Sequence, residues 1–303
     1  MRTPLTSHDE ILVGSEHGRI CALAAAGQRD LQERAAAHHE LFAAKPFDAA
    51  LFSAVAHATA FGAPWCTVEQ LQVANRASLW VFAADWLIDS QATSRDEVTA
   101  IVADCRAVAD GAAGASPIGR FLAEIRDTLA TAPSFRSGCR SGRQRWRDEV
   151  ERMLAAMARE WEWRSALTGG AAGPAGPTFD EYLDNADNTG LSFVNVSHWL
   201  FTGDLACLDQ FDELTTAGRE AQRVLRLVND LATHERDAVW GDLNALMFLD
   251  HADVSRRITA LVERCQDLLR PLEPTCPQQV IYLARQIGFT SGFYQVTDFW
   301  GVT

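Results

Sequence analysis

The sequence lacks the features that mark several large classes of protein. Its formal net charge is −13, so it has no surplus of basic residues with which to neutralise the phosphates of a nucleic acid. Its seven cysteines are odd in number and contain no C-x-x-C pair, which indicates reduced, mostly buried thiols rather than a zinc site or a disulfide framework. No apolar run reaches the ~18–20 residues that span a bilayer.

Targeting signals, internal repeats and β-strand patterns are missing as well. The first ten residues hold no apolar segment of the kind found in signal peptides. Alternating runs rich in Val, Thr and Ile, which are typical of strands, do not occur. We therefore expect a cytoplasmic, all-α protein with no membrane span and no nucleic-acid partner.

Helical periodicity covers most of the chain. Two stretches rich in small residues and breakers, 132–142 and 168–178, interrupt it and are predicted to be loops. We expect a mobile N-terminal segment at 1–18 and a single domain over 19–303, because ligand candidates occur on both sides of the second loop. Helices are predicted at residues 20–43, 48–62, 67–89, 94–111, 117–131, 143–167, 178–202, 205–236, 241–248, 252–270 and 275–298.

One predicted helix carries three oxygen ligands and two arginines on a single face. With Asn229 as the origin, Thr233 falls at about 40° and Asp237 at about 80° around the helix. Arg226 falls at about 60° and Arg236 at about −20°. Hard oxygen ligands suit Mg²⁺ and guanidinium groups suit a diphosphate, although an ordinary polar face with an ion pair is the alternative.

A second acidic pair lies upstream, at the end of an apolar helix. Asp85 and Asp89 are four residues apart, so both carboxylates are expected on one face, with Ser78 and Phe82 one and two turns before them. Taken alone, the pair could equally be surface acids of an amphipathic helix. Together with the Asn229 helix, it could hold several Mg²⁺ ions around one diphosphate.

The two motifs together resemble those of class I terpene synthases, in the bacterial form with a single α domain. Asn229, Thr233 and Asp237 match the family's N-D-x-x-[ST]-x-x-x-[ED] metal motif, and Asp85 and Asp89 match the first and last acids of its Asp-rich motif. The resemblance covers roughly residues 50–300. It implies a single-domain helical bundle around a central active-site cavity.

Other matches resemble the kaurene-synthase-like, labdane-related diterpene branch. Ala186 stands where many sesquiterpene synthases carry a diphosphate-sensing Arg, which this branch often lacks. Two departures from the family's pattern are that Trp86 replaces the usual second Asp and that Asp237 replaces the commoner Glu. The matching segments are Glu181-Tyr-Leu-Asp-Asn185-Ala186, Arg236-Asp237, Gly241-Asp-Leu-Asn244-Ala-Leu-Met, Phe293-Tyr294 and Asp298.

The resemblance implies a Mg²⁺-dependent lyase and assigns a role to each matching residue. Asp85, Asp89, Asn229, Thr233 and Asp237 would be the catalytic metal ligands for three ions. Arg226 and Arg236 would bind the diphosphate of a C20 prenyl diphosphate, of the bicyclic copalyl type, which a separate class II cyclase would supply. A homodimer is possible. The side chains expected to line the substrate pocket, with core packing as their alternative, are Phe82, Trp86, Asn185, Trp199, Phe293 and Tyr294.

Three alternatives remain open at this stage. A class I cyclase could act on linear geranylgeranyl or farnesyl diphosphate. A prenyltransferase would use similar metal chemistry, but it normally has two D-D-x-x-D motifs and this chain has none. A degenerate, non-catalytic isoprenoid-binding protein is the third, and Trp86 is the residue that favours it.

Overall fold

All regular secondary structure is helical over the residues that the computed structural model describes, which are 7–136, 142–168, 176–203 and 205–301. The predicted all-α fold class is confirmed. Within these ranges, no helix is both long and apolar enough to cross a membrane. The α-helices are α1 (Ser7–Ala37), α2 (His39–Phe42), α3 (Ala49–Gly62), α4 (Val68–Asp85), α5 (Arg95–Asp110), α6 (Pro117–Leu129), α7 (Pro133–Arg136), α8 (Gly142–Thr168), α9 (Phe179–Asp184), α10 (Leu191–Thr202), α11 (Phe211–Trp240), α12 (His251–Leu269) and α13 (Pro277–Phe293).

Shorter turns of other helical types join some of these elements. A π-helical turn, Trp86–Gln91, continues α4. Single 3₁₀ segments occupy Ala186–Thr189, Leu205–Gln210, Ala245–Met247 and Arg270–Leu272.

Several predicted boundaries were wrong. The predicted helix 178–202 is broken between α9 and α10, and the predicted helix 241–248 is only the short 3₁₀ segment Ala245–Met247. Helix α11 begins at Phe211 rather than 205, and α13 ends at Phe293 rather than 298. The short α7 lies inside the predicted loop 132–142, of which residues 137–141 are outside the described ranges, as are 169–175 of the other loop.

The predicted N-terminal segment, residues 1–18, overlaps a continuous helix in the structure. α1 begins at Ser7 and runs through residue 18, and Asp9 and Glu10 in its first turn favour the helix dipole. Residues 1–6 lie outside the described ranges. The division into a segment 1–18 and a domain 19–303 stays a prediction.

Gly190 explains the break between α9 and α10. Its φ of 71° lies in the left-handed region, which glycine adopts without a Cβ penalty. A Cβ built there would lie 2.6 Å from both Cγ atoms of Val81 on α4. The glycine therefore allows α10 to start in close contact with α4, which carries Asp85.

Local signals and core packing fix the helices that surround the site. α4 starts with a capping box in which Thr67 and Gln70 exchange side-chain and backbone hydrogen bonds. Two fully buried indoles tie helices together, because Trp80 donates to Ile118 O at 2.9 Å and Trp146 donates to Ser197 Oγ at 3.0 Å. The main apolar core spans α1 to α8, α10 and α13, and a second cluster joins α9, α11 and α12.

Candidate active site

A cavity of about 310 Å³ lies among α3, α4, α8, α10, α11 and α13. This volume is at the lower end of the ~300–1,000 Å³ typical of ligand pockets. Carboxylates and arginines from α4, α8 and α11 and from the segments after α4 and α11 line one part of it, and the remainder is lined by aliphatic, aromatic and a few uncharged polar side chains. We call these two parts the polar end and the apolar end.

Asp85 and Asp89 both line the polar end, although the segment that carries them is not a plain α-helix. Asp85 closes α4 and Asp89 lies in the π-helical turn, where Ala92 N donates to Leu87 O at 2.9 Å. π-Helical turns are rare and often occur at functional sites. Asp89 Oδ1 is buried and finds no hydrogen-bond partner among the described residues.

Burial raises the pKa of both of these carboxyls. The negative charges of Asp242 and Glu160 add to the rise for Asp85, and Asp85 itself adds to the rise for Asp89. Such crowding of acids is costly without a compensating cation. It is the electrostatic setting that a divalent ion would relieve.

The predicted triad on α11 converges as expected. Thr233 Oγ1 lies 2.7 Å from Asp237 Oδ2 and 3.5 Å from Asn229 Oδ1. Asn229 and Asp237 line the cavity, whereas Thr233 is buried behind them. The amide of Asn229 is oriented by α13, because its Nδ2 donates to the Tyr294 hydroxyl at 2.7 Å.

Asp237 is held by residues outside its own motif. Asn244 Nδ2 donates to Asp237 Oδ2 at 2.9 Å and to Asp230 O at 2.8 Å. Asp230 in turn accepts from the Tyr182 hydroxyl at 2.8 Å, and burial raises its pKa to about 7. The segment after Gly241 and the segment around Tyr182 thus support the α11 motif through hydrogen bonds.

Both predicted arginines line the cavity, and both are paired with carboxylates. Arg226 is buried, contacts both oxygens of Glu160 at 2.9 Å and lies over the Tyr182 ring at 3.8 Å from its centroid. Arg236 donates to Asp298 Oδ2 at 2.7 Å and to Asp237 Oδ1 at 2.9 Å. Their proposed role in binding a diphosphate remains a prediction.

A third arginine, which the sequence analysis missed, connects the two acidic segments. Arg164 on α8 donates to Asp242 Oδ1 and to the backbone oxygen of Asp89, and its Nη1 lies 3.7 Å from Asp89 Oδ1. Glu160 stands one turn before it. Their i, i+4 spacing was a signal for a shared helix face, but nothing in the sequence showed that this face points inward.

The predicted pocket residues divide into two groups. Phe82, Trp86 and Tyr294 line the cavity. Three others do not: Asn185 donates to Ala156 O at 2.9 Å, Trp199 packs against Phe211 and Tyr282, and Phe293 stacks on Phe299 with centroids 4.7 Å apart. The aromatic side chains that line the cavity without having been predicted are Trp240, Phe289, Phe299, Trp300, Tyr182 and Tyr282.

The donor atoms at the polar end suit a hard divalent cation. They are carboxylate, amide and hydroxyl oxygens from two facing segments, and one of them, Asp89 Oδ1, is buried without a hydrogen-bond partner among the described residues. In the described part of the chain, no three His, Cys, Asp or Glu side chains converge on one point. Each ion would therefore need the amide and hydroxyl donors, water or substrate as well, which is usual for Mg²⁺.

Comparisons with known proteins agree with this geometry. A family model described as terpene synthase family 2, C-terminal metal binding, matches residues 76–257. The chain is 26% identical over 279 residues to an ent-pimara-9(11),15-diene synthase from Streptomyces sp. (strain KO-3988), covering 90% of each. Two solved structures share the fold. They are an α-eudesmol synthase (15% identity, 98% of each chain, TM-score 0.68) and the Streptomyces coelicolor A3(2) 2-methylisoborneol synthase solved with Mg²⁺ and geranyl-S-thiolodiphosphate (16%, 93% and 92%, 0.67).

Proposed function

Because the chain belongs to the bacterial class I terpene synthases, a family of lyases with a metal-binding domain, we propose that it is a diterpene synthase. Its substrate would be a C20 prenyl diphosphate, of the bicyclic copalyl type, which it ionises with release of diphosphate. The resulting carbocation would rearrange in the cavity to a diterpene. The observation that carries this proposal is the meeting of two oxygen-rich segments, at Asp85–Asp89 and Asn229–Asp237, at one end of a cavity whose other end carries no charged side chain.

The polar end supplies the groups that ionisation requires. Asp85, Asp89, Asn229, Thr233 and Asp237 are proposed to hold Mg²⁺, three ions in all. When bound, the metal acts as a Lewis acid that stabilises the charge developing on the leaving diphosphate. We propose that Arg226 and Arg236 bind the same diphosphate alongside the metal.

The apolar end suits the fate of the carbocation. Its wall includes Phe82, Trp86, Phe289, Phe299 and Trp300, whose rings can each contribute ~0.5–2 kcal/mol of cation–π attraction. Trp86 packs edge-on against Phe47 and close to Trp300, so it acts as part of this wall. Enclosure by these side chains excludes bulk water, which would otherwise quench the cation early.

Support for the C20 bicyclic substrate comes from the segments around the metal motif. Ala186 is buried and offers no guanidinium, as in the labdane-related branch. Asn244, in the Gly241 segment, braces Asp237 directly. The name of the Streptomyces relative, a pimaradiene synthase, is also consistent with a diterpene product. A class II cyclase would then supply the substrate.

A substrate panel tests the proposal. The purified protein is incubated with Mg²⁺ and copalyl, geranylgeranyl or farnesyl diphosphate, and kcat/KM is measured from diphosphate release, with products analysed by mass spectrometry. We expect at least a tenfold preference for copalyl diphosphate, about 1.4 kcal/mol in transition-state binding. A preference for a linear substrate would reject the diterpene branch assignment.

Two further outcomes of the same panel separate the remaining alternatives. If none of the three diphosphates is turned over, the chain is a degenerate isoprenoid-binding protein. If added isopentenyl diphosphate gives chain elongation, it is a prenyltransferase. Reactions with EDTA in place of Mg²⁺ are the control for metal dependence.

A further inference from the structure

A pair of hydrogen-bonded amide side chains, one of which lines the cavity, lies away from the acids. Gln286 on α13 lines the cavity, and its Nε2 donates to Asn195 Oδ1 on α10 at 2.8 Å. Asn195 is 1% exposed. Gln286 Oε1 and Asn195 Nδ2 are both buried, and neither finds a hydrogen-bond partner among the described residues.

The amide pair lies at the apolar end. Gln286 is eight residues before Tyr294, the residue that contacts the metal motif, so the two are separated by roughly 12 Å along α13. The residues near the pair on α10 and α13 that line the cavity carry no charge, and they are Leu191, Val194, Tyr282, Phe289 and Thr290. A substrate whose diphosphate lies near Asn229 would therefore place its hydrocarbon part beside this pair.

Exchanging the O and N positions of the two amides does not give every polar atom a hydrogen-bond partner. One contact between two primary amides uses one N–H donor and one carbonyl acceptor. Exchanging O and N in both side chains again leaves one acceptor and one donor unpaired. A buried donor and a buried acceptor that both lack partners are the groups to which a buried water molecule hydrogen-bonds.

We infer that the Asn195–Gln286 pair holds a water molecule at the apolar end and that this water captures the final carbocation, so that the product is an alcohol. The inference rests on the proposed function. The water would accept from Asn195 Nδ2 and donate to Gln286 Oε1. Its remaining lone pair is then free to attack a cationic carbon in the cavity.

The step balances with the species that the reaction supplies. The water oxygen forms a C–O bond to the cation, which gives a protonated alcohol. The protonated alcohol loses its proton to the diphosphate released in the ionisation. The sum is prenyl diphosphate plus water giving a terpene alcohol plus protonated diphosphate, with no oxidant or reductant.

Proton loss to give a hydrocarbon is the competing end of the reaction, and this end of the cavity is poorly equipped for it. The carboxylates that line the cavity are Asp85, Asp89, Glu160, Asp230, Asp237 and Asp242. All belong to the network around Arg164, Arg226 and Arg236 at the polar end. The amides at the apolar end are neutral hydrogen-bonding groups and not bases.

Product analysis in ¹⁸O-labelled water tests the inference. With the wild-type protein we expect a terpene alcohol that carries ¹⁸O as the main product. Gln286→Leu and Asn195→Leu are expected to lower the alcohol-to-hydrocarbon ratio tenfold or more. Gln278→Leu, an exposed glutamine near the start of the same helix, is the matched control and should leave the ratio unchanged.

Diphosphate release measured in the same reactions distinguishes a failure of the water-capture inference from a failure of the proposed function. Release of diphosphate with only hydrocarbon products from the wild-type protein overturns the water-capture inference and leaves the synthase intact. No release with any prenyl diphosphate overturns the proposed function itself.

A readout independent of turnover is a high-resolution crystal structure of the ligand-free protein. An ordered water within hydrogen-bond distance of both side chains, lost in Gln286→Leu, supports the inference. A dry site overturns it.

Discussion

The two ends of the cavity differ in the charge of their polar groups and in the partners that these groups find. At the polar end, charged side chains are held by other charged side chains: Arg236 joins Asp237 to Asp298, and Arg164 joins Asp242 to the Asp89 segment. At the apolar end, neutral amide atoms of Asn195 and Gln286 are buried without hydrogen-bond partners among the described residues. The polar end is thus organised for a fixed geometry of charge, whereas the apolar end keeps hydrogen-bonding capacity unused.

Within the polar end, the two acidic segments differ in how firmly hydrogen bonds hold their carboxylates. Asp237 receives hydrogen bonds from Thr233, Asn244 and Arg236. Asp89 lies in a π-helical turn, and one of its carboxylate oxygens has no hydrogen-bond partner among the described residues. We expect the α11 side to be preorganised and the Asp-rich side to adjust when an ion binds.

Removing the best-held ligand should have the largest effect. Asp237→Ala is expected to lower kcat by about a thousandfold or more, roughly 4 kcal/mol, because an anionic donor at the polar end is lost. Asn229→Ala should do the same. Steady-state kinetics with excess Mg²⁺ measure the loss, and circular dichroism checks that the helices remain.

The matched control for this experiment is Asp267→Ala, which removes an exposed acid from α12. It should leave kcat unchanged. Near-normal activity in folded Asp237→Ala would remove the central claim about the metal site.

The free energy of unfolding should fall at low pH because of the buried His198, which stacks on the cavity-lining Tyr282. Burial lowers the pKa of His198 from 6.5 to about 4, so the folded state binds fewer protons than the unfolded state between these values. Stability is therefore full above pH 6.5 and falls as the pH drops towards 4, by roughly 3 kcal/mol for this group. Urea unfolding at several pH values measures it.

Phenylalanine variants isolate that contribution. In His198→Phe, which keeps a ring against Tyr282, the fall between pH 6.5 and 4 should be smaller than in the wild type by about that amount. His251→Phe, at an exposed site, should follow the wild-type curve. Parallel curves for the wild type and His198→Phe would contradict the prediction.

The sequence was informative where function depends on spacing within one helix. Residues four apart on α11 converge as periodicity predicts, and the apolar periodicity located most of the helices correctly. Resemblance to a family then placed two distant segments in one site. Both features are local in the chain or depend on motifs that can be recognised there.

Sequence reasoning failed where a contact joins distant segments. Arg164 reaches Asp242 across 78 residues, and Gln286 reaches Asn195 across 91 residues. The break at Gly190 depends on the proximity of Val81, which no local pattern reveals. Trp199 is a large aromatic residue of the kind that lines such pockets, but it lies in the core. Tertiary packing decides which face of α10 points to the cavity, and the sequence of α10 alone does not reveal it.

Loosening the support of Asp237 should give an intermediate effect. Asn244→Ala removes a hydrogen bond to the carboxylate without removing a predicted ligand. Residues that orient metal ligands typically contribute 10–100-fold in affinity or activity, so we expect the Mg²⁺ concentration for half-maximal rate to rise within that range. Titration with Mn²⁺, followed by electron paramagnetic resonance, gives the affinity without turnover. An unchanged affinity would show that the α11 side does not depend on this brace.

The smallest expected effect separates the two acids of the looser segment. Trp86 occupies the position of the usual second acid, so we expect Asp85 to carry more of the binding and Asp85→Ala to need several-fold more Mg²⁺ than Asp89→Ala. The structure offers a reason for a difference in the same direction: Arg164 donates to the backbone oxygen of Asp89 and lies 3.7 Å from its Oδ1, so its positive charge competes with a cation at Asp89. Parallel Mg²⁺ titrations of the two variants decide the order, with Asp96→Ala, an exposed acid on α5, as the control. If Asp89→Ala is clearly the worse, the π-helical turn rather than the end of α4 is the principal metal-binding element of this segment, and the contrast with α11 would then lie in backbone geometry rather than in hydrogen bonding.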